Sequence, residues 1–257
     1  MFCGSLKFFL YFIFLGLFAS CSTKKPVGKT EAESLYLEAQ QLIAKKRYIA
    51  ATEKLNTIKT QHPYSFYAIP SELGLADVAF MQENYEEAAA AYIVFRDMHP
   101  KHEKLDFVIS RIAESFDKQS PTTFDRDLTS SMEAAKYYQE LLTKYVSSPY
   151  TANAKDRLSF INQKVVDKEK YIADFYFKTK NYEAALWRYR YIQANVENKE
   201  LLTHAKYREV LALSKLEQFK ECLDVMKVNA PFFTDQQIVE LEKVADHCAQ
   251  KWKEKLQ

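Results

Sequence analysis

The sequence predicts an all-α protein built from stacked helix pairs, and three observations point that way. An aromatic residue followed three positions later by a small one recurs at Tyr48–Ala51, Tyr85–Ala88, Tyr182–Ala185 and, with Cys for Ala, Phe219–Cys222, and self-similarity of this kind marks a repeat array. Of the four glycines, Gly4, Gly16, Gly28 and Gly74, none lies beyond position 74, which removes phosphate-cradling loops and glycine-turned hairpins from most of the chain. A content of 47% hydrophobic and 27% charged residues, with 18 Phe and 17 Tyr, suits a folded chain rich in amphipathic side chains. The 257 residues allow one or two domains or one extended array. With 36 Lys+Arg against 34 Asp+Glu spread along the chain, there is no basic stripe of the sort that nucleic acid requires.

Residues 1–20 are expected to be a signal peptide. Lys7 precedes an unbroken apolar run from Phe8 to Ala19, the length of a signal-peptide core and too short to span a bilayer comfortably. In Leu17-Phe18-Ala19-Ser20-Cys21, small residues at the two positions before a cysteine resemble the lipobox of bacterial lipoproteins. That resemblance implies that Cys21 is acylated and becomes the mature N-terminus. Leu17 lies one place earlier than the lipobox prefers, and an ordinary signal peptide with an unmodified Cys21 is the alternative. In lipoproteins an Asp directly after the cysteine favours inner-membrane retention, so Ser22 and Thr23 imply the outer membrane, facing the periplasm. Residues 21–29, polar and carrying Pro26 and Gly28, read as the lipidated N-terminus and a flexible tether. Cys3 leaves with the signal peptide, which leaves Cys222 and Cys248 as thiols. A periplasmic location permits a disulfide between them, yet each lies on an apolar helix face that also suits a free buried cysteine.

The body divides into repeats. Thr30 with Glu33 starts the first helix. Leu35, Ala39, Leu42, Ala51, Leu55, Ile58 and Pro63 then fall at the small, large and proline positions of a tetratricopeptide (TPR) repeat. Shifted by 37, the template meets Glu72, Ala76, Ala79, Ala88, Tyr92, Phe95 and Pro100, with Glu72 the misfit. Residues 30–104 thus hold repeats 1 and 2, with Ala51 allowing close approach of paired helices and each proline ending its unit. Repeat 3 occupies 105–150 as a helix from Leu105 to Lys118, an inserted loop at 119–130 (QSPTTFDRDLTS), and a helix from Met132 to Val146. Residues 151–233 give a long helix from Ala152 to Lys180, a helix from Tyr182 to about Ala194, and a fifth repeat from about Leu201 to Val228. Residues 234–257 begin with a capping box, Thr234 to Gln237. Ile238, Leu241, Val244, Ala245, Cys248 and Trp252 line one face of the helix that follows, which is expected to cap the apolar end of the array. The predicted fold is therefore an all-α TPR superhelix of about five helix pairs with a C-terminal capping helix.

No catalytic constellation accompanies this fold. His62, His99, His102, His204 and His247 show no metal-ligand spacing, and His99 and His102 straddle Pro100. No nucleophile elbow occurs, and neither a cofactor nor a metal is expected. What remains is the concave surface of stacked helix pairs, which suits extended peptides. On the TPR template Tyr36, Gln40 and Ile43 of repeat 1 and Leu73, Asp77 and Phe80 of repeat 2 face it, and packing between helices is the alternative role at each.

The order of features, a lipobox, a short tether, two regular repeats, an interrupted third, a long helix, two further repeats and a cap, resembles the BamD family of TPR lipoproteins of the outer-membrane β-barrel assembly machinery. His62-Pro63-Tyr64-Ser65-Phe66-Tyr67 is similar to that family's aromatic-Pro-aromatic-Gly-Pro-Tyr turn, with Ser65 and Phe66 in place of Gly-Pro. His99-Pro100-Lys101-His102 with Leu105-Asp106-Phe107, Asp125-Arg126-Asp127, and Tyr145 with Ser147, Ser148 and Tyr150 match further turns, though Val146 replaces a proline. The resemblance covers about 30–250 and implies a non-catalytic adaptor. Its N-terminal repeats would recognise the aromatic-ended strand of unfolded barrel proteins, with Tyr64 and Tyr67 among the contacting residues, and its C-terminal repeats would dock on a POTRA domain of BamA. Arg188, in Ala184-Leu-Trp-Arg188, stands where the family carries a docking arginine, and a solvated helix residue is the alternative there. Other lipoproteins of the complex are further partners the resemblance allows. The competing function is a periplasmic TPR lipoprotein scaffold for cell division, envelope maintenance or secretion.

Overall fold

The computed structural model describes residues 27–257. The expected signal peptide, Cys21 and most of the tether lie outside them. Among the described residues there are eleven α-helices, one short 3-10 helix and no strand. They are α1 (Glu31–Ala44), α2 (Tyr48–Gln61), α3 (Ala68–Met81), α4 (Tyr85–Met98), α5 (Leu105–Gln119), α6 (Thr129–Lys144), α7 (Thr151–Lys178), α8 (Tyr182–Asn195), α9 (Lys199–Lys215), α10 (Phe219–Asn229) and α11 (Asp235–Leu256). The chain forms two compact units, the first ending at Asn84 and the second running from Tyr85 to Gln257.

Four turns explain how two helices fit into each repeat without glycine. Lys46, Glu83, Lys180 and Glu217 take left-handed φ values of 58°, 63°, 63° and 58°, and each stands two residues before the aromatic that opens the next helix. After α1, Lys46 N–H donates to the Ile43 carbonyl and Arg47 N–H to the Leu42 carbonyl, both at 2.8 Å. This pair of bonds is the Schellman motif, which satisfies carbonyls that the helix end leaves open. The same pair recurs at Glu83 and Asn84, at Lys180 and Asn181, and at Glu217 and Gln218. The inserted loop replaces it in repeat 3.

In the first unit Ala39 and Ala51 are fully buried and Leu55 and Val78 pack with them. Gly74 lets α3 approach α2 closely, because a Cβ there would stand 3.3 Å from Leu55 Cδ1. The start of α1 is capped as expected: the Thr30 hydroxyl accepts Glu33 N–H at 3.2 Å. Glu33 reaches back one residue further than a capping box requires, to Lys29 N–H at 2.6 Å.

In the second unit the position four residues after the small one carries a buried tyrosine, Tyr92, Tyr138 and Tyr189. Two of these are held by a recurring polar clamp. Tyr138 of α6 donates to Asp117 of α5, and Arg157 of α7 grips the same carboxylate through two bonds of 2.6 and 2.9 Å. One repeat later Tyr189 of α8 donates to Asp174 of α7 at 2.7 Å, and His204 of α9 meets that carboxylate at 2.8 Å. An aspartate on a first helix thus takes a phenol from its own repeat and a cation or imidazole from the next. Burial pushes both phenols well above the ordinary tyrosine range, and the facing carboxylate reinforces the shift at each.

The helix ends refine the expected boundaries. α6 begins at Thr129 rather than Met132 and ends at Lys144, where Tyr145 closes it as C-cap. The loop is therefore 120–128, and it is anchored to α7: Lys164 Nζ donates to the Pro121 carbonyl and Lys168 Nζ to the Arg126 carbonyl, both at 2.7 Å. Phe124 adds an edge contact to Tyr171 at 5.7 Å. The capping box of α11 forms as read, with Thr234 and Gln237 bonding reciprocally. Leu241 and Cys248 pack against Val210, Leu213, Phe219 and Cys222, closing the end of the second unit.

Candidate binding surfaces

Helical spacing of four and three residues sets Tyr36, Gln40 and Ile43 along one stripe of α1, and Leu73, Asp77 and Phe80 along one stripe of α3. Tyr36 and Ile43 are half-buried beside the core of the first unit. The Tyr36 hydroxyl is pushed up by burial first and by the Asp77 carboxylate next, while a hydrogen bond with Gln40 pulls it down. Three of the expected residues thus meet at one spot. The Tyr36 ring lies 5.2 Å from that of Tyr67, and Phe66 sets its edge on Tyr67 at 5.5 Å. Glu33 orients Tyr67: its carboxyl is held low by Lys29 N–H first and by the Tyr67 hydroxyl second.

Two of the expected residues behave differently. Leu73 is only 7% exposed, because α3 is buried on several faces, with Ser71, Gly74, Ala76 and Val78 also inside. It therefore fills the interior and offers no contact surface, which corrects its assignment to the groove. Tyr64 is fully exposed, at 101%, and projects from the turn instead of lying with Tyr36. Beside it Phe66, 85% exposed, is a further candidate for contact, absent from the groove residues expected from the sequence although it stands in the quoted turn motif.

The second surface lies in the second unit, on α8. Arg188 is partly exposed, 3.7 Å from Glu169 of α7, and its guanidinium sits 5.1 Å from the centre of the Trp187 ring. Trp187 is 60% exposed and stacks on Tyr191 at 5.7 Å. Trp187 and Tyr191 were missed as candidates, although aromatics four apart next to an arginine are legible as one helix face. An exposed tryptophan stacked on a tyrosine beside an arginine has the composition of an interface centre.

A cleft of about 670 Å³ opens between α7, α9 and the start of α11, lined by Gln163, Lys170, Leu201, His204, Phe232 and Gln237. No cluster of three or more metal-ligating side chains occurs among the described residues, and none of their helices is long and apolar enough to cross a membrane.

Fourteen-residue helices joined by Schellman turns, with a small-residue seam and a period of 37, place the molecule in the class of TPR-type repeat proteins. The model of the YfiO family, described as outer membrane lipoprotein, matches residues 29–220. The chain belongs to that family. It is similar to the outer membrane protein assembly factor BamD of Neisseria meningitidis serogroup B, at 27% identity across 87% of this chain and 90% of the relative. It is likewise similar to BamD of Rickettsia prowazekii, at 26% identity across 82% and 86%. Among solved structures, the TPR2AB-domain:pHSP90 complex of yeast Sti1 superposes at a TM-score of 0.42 with 13% identity, covering 86% of this chain and all of that one.

Proposed function

We propose that the protein is a non-catalytic, lipid-anchored adaptor of the β-barrel assembly machinery at the periplasmic face of the outer membrane. The observation that carries this reading is the similarity to BamD assembly factors over most of the chain. Within it, the aromatic cluster of Tyr36, Phe66 and Tyr67, together with Ile43, Phe80 and the projecting Tyr64, receives the aromatic side chains of unfolded barrel precursors. Gln40 and Asp77 offer hydrogen bonds to the backbone of such a peptide. Roughly 1.5–3 kcal/mol is available for each large side chain fully buried, before ordering costs that keep the encounter transient. Arg188, with Trp187 and Tyr191, docks on a POTRA domain of BamA, other Bam lipoproteins completing the complex, and an acyl chain on Cys21 holds the assembly at the membrane. No cofactor takes part.

The test is capture of the detergent-extracted protein through a C-terminal tag, with its stoichiometric partners identified by mass spectrometry. A POTRA-bearing barrel protein as the main partner is expected, and Arg188→Glu should reduce its recovery at least tenfold while the circular dichroism spectrum stays unchanged. Recovery of cell-division or secretion proteins in its place would overturn the reading. Cys21→Ala should shift the protein from the membrane fraction to the soluble periplasm.

A further inference from the structure

We infer that Cys222 and Cys248 are joined by a disulfide in the working protein, stapling the fifth repeat to the capping helix. Cys222 lies on α10 and Cys248 on α11, and both are fully buried, at 0% exposure. Their sulfurs stand 2.7 Å apart. Zinc–thiolate bonds of about 2.3 Å with tetrahedral angles would hold two sulfurs well beyond that separation, so a shared metal does not fit. The surroundings, Val210, Leu213, Phe219 and Leu241, are apolar, and Cys222 Sγ also meets the Val210 carbonyl at 3.7 Å. Forming a bond of about 2.05 Å requires only a small approach of the sulfurs.

The burial also orders the chemistry. Desolvation pushes the Cys222 thiol far above its ordinary range, with the neighbouring Cys248 adding to the effect, and both sulfurs are shut away from an oxidant by their full burial in the folded protein. Oxidation therefore precedes burial. In the unfolded chain one thiol loses its proton and attacks the disulfide of a thiol oxidase. The other cysteine then displaces the oxidase from the mixed disulfide. Two thiols become one disulfide, and the oxidase leaves with two thiols, carrying off two electrons and two protons. Folding afterwards seals the bond away from reductants. The cross-link spans 26 residues of sequence, a segment long enough that tying its ends restricts the unfolded chain substantially. This inference rests on the periplasmic location proposed above, since a reducing compartment supplies no such oxidant.

The experiment is thiol trapping on the full-length protein. Membranes are dissolved in denaturant with a maleimide, and the intact mass is read before and after reduction. No adduct is expected without reduction, at a mass two hydrogens below the dithiol form, and two adducts per chain after it. Two adducts without reduction, in protein that fractionates with the outer membrane, would overturn the staple. Should the protein fractionate elsewhere, the location fails first, and refolding the denatured chain in a glutathione redox buffer decides the staple separately: quantitative cross-linking supports it and persistent free thiols refute it. As a second measure, reduction under denaturant followed by refolding without oxidant should lower the melting midpoint by about 5–10 °C. The double variant Cys222→Ala, Cys248→Ala should show no response to that treatment. An unchanged midpoint in the wild-type chain would refute the stabilising role.

Discussion

The four left-handed residues at the turns carry a backbone cost of about 1 kcal/mol each, because a Cβ at positive φ crowds the following carbonyl. Lys46, Glu83, Lys180 and Glu217 bear it with ordinary side chains. Lys180→Gly should therefore raise stability by at most about 0.5 kcal/mol, once the extra flexibility of glycine in the unfolded chain is subtracted, and a thermal melt reads the gain directly. These turns show what a sequence reading sees and what it misses. Without glycine the turn itself gave no signal, yet the aromatic–small pair just beyond it marked the start of each second helix. Asp174 supplies a pH prediction at the same scale. Burial raises its carboxyl, but the hydrogen bonds from His204 and Tyr189 outweigh burial and hold it below the ordinary value. A carboxylate lowered in the folded state contributes stability above its unfolded pKa of about 3.9 and loses it as pH falls through the folded value. Asp174→Asn should accordingly flatten the acid limb of the stability profile below about pH 4, measured by melting midpoints across that range.

Between helices, the aspartate clamps decide how firmly one repeat grips the next. Asp117 binds Tyr138 of its own repeat and Arg157 of the following helix, and its side chain is nearly buried while that of Arg157 remains 39% exposed. Asp117→Ala strands a buried phenol and a half-solvated guanidinium, so a loss of about 2 kcal/mol is expected, below the range for a fully buried pair because water reaches the arginine. Asp117→Asn should restore part of it, since the amide oxygen still accepts a bond. The inserted loop depends on α7 in the same way. Lys164→Met keeps the apolar stem but removes the donor to the Pro121 carbonyl, and limited proteolysis should then cut within 120–128 several times faster at unchanged overall helicity. The interruption itself was legible from QSPTTFDRDLTS. Its anchoring was not, because the lysine answers a backbone carbonyl 43 positions away, and no pattern of side-chain types encodes that partner.

At the scale of the molecule, periodicity carried the fold, since helix pairing follows from local spacing that the sequence displays openly. The candidate site was legible only in part. The TPR template sets Tyr36, Gln40 and Asp77 on facing stripes, and the three do meet, while Leu73 is lost to the interior because the template reports direction and not what stands in front of a side chain. Trp187 and Tyr191 went unnoticed beside Arg188 because a repeat template attends to buried positions. The closing helix α11 has one further consequence. A chain shortened to residue 233 would leave Val210, Leu213 and Phe219 facing water at one end of the second unit. An apolar face of this kind is buried again when chains associate through it, so the shortened protein is driven to self-association. Concentration-dependent growth of light scattering is expected from the shortened chain under reducing conditions, with the full-length protein remaining at constant mass; on this account the last helix governs colloidal behaviour as much as architecture.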